Sequence, residues 1–332
     1  MKKTLIALAV LAASTASMAQ VTLYGVADLS LSATDMDGAR SDASMSGNGL
    51  LNDGNSRWGI KAVEDLGGGM KLTAQFEQNI NYETGIAGFD AGRYAYIALD
   101  TSVGRFKAGR TLTPSFFGVA TWELTGAANF TAVGNQFGFA GAGSRDNSEF
   151  SHSARVGGFS GILGYVTELD SAAVALQSTG TGFTTPNSGQ AGTASKVDAM
   201  VSYAAGPLAA ALSYNKVSSA SDGNYALGAN YNFGAFIVAA SYQDPAGQQQ
   251  GWTLGASLPM GPWKFTVDVA QDTGFDDTNW LAYAGYSLSK RTTVYGAYYD
   301  DGKSGKTVDG SATLRKTAVA SKTYGVGIRH DF

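Results

Sequence analysis

Cysteine is absent from all 332 residues, proline occurs six times and histidine twice. With no thiol there is no disulfide framework, no thiolate zinc site and no cysteine nucleophile. The two histidines, His152 and His330, stand far apart in sequence. A serine triad needs a serine, an imidazole and an acid to converge, so neither a catalytic site nor a metal or cofactor is expected. Residues 1–19 carry an apolar run too short to cross a bilayer as a helix, and nothing after them approaches the about 20 residues that such a helix takes. Setting aside Lys2 and Lys3 leaves 21 of the 23 basic residues against 27 acidic ones, a net charge of −6 that disfavours nucleic acid as a partner. Few prolines and no low-complexity linker favour one continuous architecture.

What is present is glycine (44), tyrosine (16) and phenylalanine (16), together with a particular beginning. MKKTLIALAVLAASTASMAQ has two lysines, an apolar core and small residues at Ser17 and Ala19, the pattern of a secretory signal peptide over 1–19. The remaining 20–332 read as a single domain. From Val21 onward apolar and polar residues alternate with period two: Val21, Leu23, Ala27, Leu29 and Leu31 on one face, Thr22, Tyr24, Asp28 and Ser30 on the other. The same rhythm predicts sixteen strands, near 21–32, 56–65, 70–80, 93–101, 104–112, 147–156, 159–168, 196–205, 208–217, 223–233, 235–243, 251–259, 262–271, 278–289, 291–300 and 322–332. Short turns such as LGGG, AGP and PMGP alternate with long polar connectors at 33–55, 169–195 and 301–321.

Period-two strands ordinarily mean a soluble sandwich or barrel. The leader, the lack of cysteine and the final aromatic, Phe332, favour instead an all-β transmembrane antiparallel barrel, whose closure satisfies every backbone polar group between strands. In that setting a charge aimed at lipid costs several kcal/mol (roughly 2–4 at the midplane). Lys61, Lys71, Glu77, Arg105, Lys107 and Asp268 are therefore expected in the lumen. Tyr242, Trp252, Trp263, Trp280 and Tyr298 fit girdles at the two membrane interfaces.

The longest interruption, Thr113 to Asn147, carries Phe116, Phe117, Trp122, Phe130, Phe137 and Phe139. So many rings seek burial. The loop either folds into the lumen as a constriction or caps the barrel from outside. Its only acid before Arg145 is Glu123.

GRTLTP (109–114), EDLGGGMK (64–71), ALGANYNFG (226–234), TLGASLPMG (253–261), YSLSKRTTVYG (286–296) and the closing VGIRHDF make the chain similar to the general trimeric porins of Gram-negative beta-proteobacterial outer membranes. The likeness runs from VTLYGVADLS at Val21 to Phe332. It implies a sixteen-stranded, homotrimeric barrel with an inward-folded third external loop, set in a lipid bilayer with lipopolysaccharide. Small ions and hydrophilic solutes would pass by diffusion. It also implies that the last strand pairs with the first, and that Phe332 is a signal for the barrel-assembly machinery. Arg57, Arg93 and Arg145 match the constriction arginines of anion-selective members, with Arg110 near by and Glu123 able to face them.

Two places depart from the family's pattern. Arg93 shares parity with Ala95, Ile97 and Leu99, which should face lipid, so it must lie beyond the strand end or behind a bulge. Glu149 and Phe150 stand where an apolar and then a polar residue are usual. GKSGKT (302–307) lacks the first glycine of a phosphate loop, that position being Asp300, and DMDG (35–38) has Ser46 where a calcium loop needs an acid. The rival function is a structural or adhesive surface barrel with a closed lumen, its long loops engaging partners.

Overall fold

The computed structural model describes residues 20–36, 39–85, 92–167, 177–179, 182–184, 194–302, 305–308, 314–317 and 320–332. The expected signal peptide, most of the connector 169–195 and part of 301–321 lie outside them. Sixteen long strands form the wall: β1 (Gln20–Met36), β2 (Arg57–Gly67), β3 (Met70–Asn79), β4 (Gly92–Thr101), β5 (Gly104–Leu112), β6 (Arg145–Val156), β7 (Phe159–Val166), β8 (Lys196–Ala205), β9 (Leu208–Val217), β10 (Asn224–Asn232), β11 (Ile237–Asp244), β12 (Gly251–Met260), β13 (Trp263–Asp272), β14 (Asp277–Ser287), β15 (Thr292–Asp300) and β16 (Ser321–Asp331). Each pairs antiparallel with its neighbours in sequence. The first half of β1 pairs with β2 and the second half with β16, which closes the cylinder and leaves no open edge.

Which face meets solvent decides between the soluble and the membrane reading. From Gly251 to Leu258 of β12 every second residue is exposed, namely Trp252, Leu254, Ala256 and Leu258, while Thr253 and Ser257 are buried. Leu227 and Val201 are likewise exposed, and Asp198, Ser213 and Asp268 buried. The hydrophobic set lies outside and the polar set inside, the inverse of a soluble core. Rings gather at both ends of this outer band. Trp280 stacks on Tyr298 at 4.7 Å and Tyr242 sits opposite Trp252 at the long-loop end. Trp263 contacts Phe265 and Tyr286 at the short-turn end.

The seam of the barrel depends on a glycine. Phe332 and Gly25 exchange backbone hydrogen bonds of 3.0 Å each, and the Phe332 ring lies over Gly25, where a side chain would otherwise stand. A Cβ there would meet the ring and come within 2.7 Å of the Arg57 carbonyl oxygen. Gly25→Val is therefore expected to cost about 1–3 kcal/mol or more by overpacking. The check is heat-modifiable mobility on electrophoresis after refolding in detergent, where the variant should show a smaller folded fraction than wild type.

The 113–147 insertion packs on the inner, polar-parity face of the wall. Thr113 caps α1 (Pro114–Trp122) through a 3.0 Å bond from the Phe116 amide, and Pro114 occupies the first turn, where its missing N–H costs nothing. α1 lies against β8, β9 and β10, and α2 (Ala132–Phe137) against β13 and β14. Trp122 fills the space over Gly228, and Asn230 donates to the Trp122 carbonyl at 3.1 Å. In the first turn of α1, Ser115 donates its amide (2.9 Å) and hydroxyl (2.6 Å) to Asp198, which pairs with Lys196. Lys196 in turn reaches Asp146 at 2.7 Å, and all three of these charged groups are buried.

The first connector does not stand wholly outside as an external loop. Residues 44–46 pair with β1, and the following stretch turns inward. Asn52 (2.7 Å) and the Tyr295 hydroxyl (2.6 Å) donate to Asp28, as does the Gly54 amide at 3.0 Å. Leu51 joins Phe130, Phe137 and Tyr299 in a buried cluster. Asn129 of the insertion donates to the Gly49 carbonyl and the Asn55 side chain at 2.9 and 2.6 Å. The two inward segments thus hold each other, and the cost of burying these polar groups is offset by their mutual hydrogen bonds.

Candidate functional site

Two bulges aim the charged side chains. Glu77 pairs with Tyr94 but Gln78 pairs with Gly92, so Arg93 is the extra residue of β4 and leaves the outward parity of Ala95 and Ile97. A second shift lies between Gly109 and Thr111 of β5, opposite Asp146 and Glu149, with Ser148 at φ 50°. It puts both Asp146 and Glu149 inside and Phe150 outside. That is why the acid and the ring appear interchanged in the sequence.

Glu77 is the hub. The Arg93 guanidinium donates to it at 2.5 Å, Arg57 approaches to 3.6 Å, and the Tyr24 hydroxyl donates at 3.0 Å. Arg57 also donates to the Asn55 carbonyl, and Arg93 to Asn79. Arg145, at the start of β6, lies over the Tyr94 ring at 5.4 Å and donates to Ser144 at 3.3 Å. Its Nε is buried with no hydrogen-bond partner.

Two of the expected constriction residues are taken up by local bonds. Arg110 donates to the Gly92 carbonyl and to Asn147, both at 2.5 Å, and so bridges the two bulges. Glu123 does not face the arginines: its carboxylate accepts from the amides of Thr125 and Ala127 and from the hydroxyls of Thr125 and Thr131. It caps the turn of its own insertion, because a buried carboxylate takes whatever donors the local backbone offers. Of the residues read as lumen-facing, Lys107 lies over the rings of Tyr96 and Phe117, each at 5.6 Å, and Arg105 makes a two-pronged pair with Asp100 at 2.7 and 2.9 Å. Lys61 and Lys71 share the inward parity of Arg57 and Glu77, respectively, nearer the short-turn end.

A further charge comes from the last strand. Arg329 donates to the Asp53 carbonyl at 3.1 Å and lies 3.7 Å from its carboxylate, with Asp331 on its other side at 3.1 Å. The signal was available in sequence: Arg329 shares the polar parity of Thr323 and Asp331. Burial pushes the Asp53 carboxyl up, while Arg329 and Lys264 pull it back.

These groups border one side of a cleft of about 830 Å³. Its charged lining is Arg57, Arg93, Arg145 and Arg329 against Asp53, Glu77 and Asp301. The side formed by the insertion, including Phe116, Ala127, Asn129, Thr131, Asn135 and Phe139, carries no charge. Asp53 and Arg329 also border a smaller chamber of about 270 Å³ with Lys264, Tyr283 and Ser287. They mark the neck between the two. An aqueous passage lined asymmetrically in this way discriminates ions by fixed charge at close range.

Comparison with known proteins follows the same lines. The family model described as "Gram-negative porin" matches residues 4–306. Outer membrane porin protein 32 of Delftia acidovorans is 32% identical over 328 residues, covering 89% of this chain and 88% of the relative. An outer membrane porin protein of Bordetella pertussis is 29% identical, over 90% and 84% of the two chains. Among solved structures, an anion-selective porin from Comamonas acidovorans superposes with a TM-score of 0.69 at 24% identity, over 95% of this chain and all (100%) of that one.

Proposed function

Since the chain belongs to the Gram-negative porin family, we propose that the cleft between the arginines and the insertion is the narrow part of its channel, and that it favours anions mildly. The chain is an outer-membrane porin, of a class whose members are channels and not enzymes. Ions and small hydrophilic solutes pass by passive diffusion through the lumen. The observation that carries the ion preference is the cleft's lining: four arginines against three acids, with a neutral wall opposite. Arg57, Arg93 and Arg145 supply the attraction, joined by Arg329. Glu77 and Asp53 moderate it in place of Glu123.

In the membrane the proposed assembly is a homotrimer. Its outer aromatic band lies in the bilayer and its outer leaflet contacts are with lipopolysaccharide, and Phe332 is the residue presented to the barrel-assembly machinery. A cleft of this size lined by seven charged side chains speaks against the closed-lumen surface barrel.

Planar-bilayer recording of the refolded mature protein is the direct test. Discrete conductance steps are expected, and liposomes containing the protein should swell in small sugars. A folded sample that gives neither would sink the channel assignment.

A further inference from the structure

Arg145 differs from its neighbours in the cleft. Arg93 and Arg57 share Glu77, and Arg329 has Asp53 and Asp331. Arg145 rests on Tyr94, donates once to Ser144, and among the described residues has no carboxylate partner. Its Nε–H is buried and unbonded. A guanidinium placed over a ring, with donors to spare, has a fork that fits a planar carboxylate.

One side of this fork is charged, with Arg93 and Glu77 in the same cleft, and the other side is apolar. Leu112 is the cross-strand partner of Arg145, and Leu112, Phe116 and Phe139 border the same cleft. The rings of Phe116 and Phe139 meet at 4.6 Å with a 52° tilt, presenting an angled surface against which a third ring can pack. The cleft's volume lies in the range of about 300–1,000 Å³ typical of small-molecule sites. A cation with no carboxylate partner among the described residues, beside an apolar corner, suits a solute that carries its charge at one end and an apolar body at the other.

We propose that this corner of the channel is a binding station for aromatic monocarboxylates: the carboxylate engages Arg145, and the ring packs against Leu112, Phe116 and Phe139. The proposal rests on the channel reading above and deepens it, since general attraction of anions does not by itself distinguish a benzoate from an acetate.

The test is single-channel recording in potassium chloride with benzoate, acetate and benzyl alcohol added in turn to the refolded protein. Benzoate is expected to interrupt the current at a half-saturating concentration about tenfold below that of acetate, a difference of about 1.4 kcal/mol. Benzyl alcohol, which has the ring without the charge, should leave the current steady. Phe116→Ala should bring benzoate to within about twofold of acetate, and Arg145→Gln should remove the response to both acids. If benzoate and acetate act alike on the wild-type channel while chloride current flows normally, the station does not exist although the channel does. If no current flows in potassium chloride, the channel reading itself fails. Should a variant not insert, the wild-type ratio of benzoate to acetate decides alone.

Discussion

Replacing Arg57, Arg93 and Arg145 together with serine should turn the channel from weakly anion-preferring to cation-preferring. The cleft now counts four arginines against three acids, and the triple variant leaves one against three, so the fixed charge goes from +1 to −2. In a low-dielectric passage such charges act at short range with little screening, and the effect is greatest in dilute electrolyte, where the Debye length is about 10 Å at 0.1 M against about 3 Å at 1 M. The reversal potential across a tenfold potassium chloride gradient should change sign at low salt and shrink as salt rises. Glu77 would lose both of its arginines in the variant, so adding Glu77→Gln to the same background should return part of the shift. A reversal potential that stays where it was would discard the three arginines as the selectivity determinants.

The second large effect concerns the anchor of the insertion. Asp198→Ala removes the acceptor of both Ser115 bonds and one of the two carboxylates around buried Lys196. Breaking a buried pair by deleting one partner costs about 3–5 kcal/mol, because the remaining charge is left uncompensated. Asn215, which donates to the Ser115 hydroxyl at 2.9 Å, loses a fixed partner as well. The barrel ladder does not run through these side chains, so the loss should fall on the insertion: strong fluctuation of the open-channel current and cleavage of residues 113–147 by added protease, with β-sheet circular dichroism retained. Asp198→Asn keeps an acceptor for Ser115 and should be milder. A quiet current and a protease-resistant insertion in Asp198→Ala would show that α1 is held by its apolar contacts with Ala211 and Ala226 and by the Asn230 bond, without the Asp198 anchor.

The wall was legible in the sequence because each strand carries its own solvent contrast. β5, β8 and β9 begin and end at the residues where the period-two pattern does, since lipid on one side and water on the other allow no drift of parity. Where parity failed, a bulge was the cause. The parity of Arg93 called for either a strand end or a bulge, and the structure has the bulge, while the shift opposite Ser148 appeared only as a misplaced acid and ring.

The lumen was less legible, because its contacts join residues far apart in the chain. That Glu123 turns back on Thr125, Ala127 and Thr131 depends on how the insertion coils, and no local rhythm reports it. Arg329 was visible as a polar-face residue, yet only its approach to Asp53, across 276 positions, makes it part of the neck. The first connector looked external because it is polar. Its polar side chains in fact satisfy the buried Asp28, a carboxylate that the alternation had already placed inside.

The bond between Asn129 and the first connector bears on how such a channel can respond to voltage or force. A loop fastened to the wall at its roots alone is a cantilever, free to swing aside as a unit. Here its far point is tied to a second span that is itself moored to β1 through Asp28, so the insertion is an arch with two abutments. Arches yield at their joints before they sweep. Slow silencing of the current would then require rupture at Asn129 or Asn52 as well as at the Ser115–Asp198 anchor, whereas fast flicker would record only the swaying of arginines along the opposite bank.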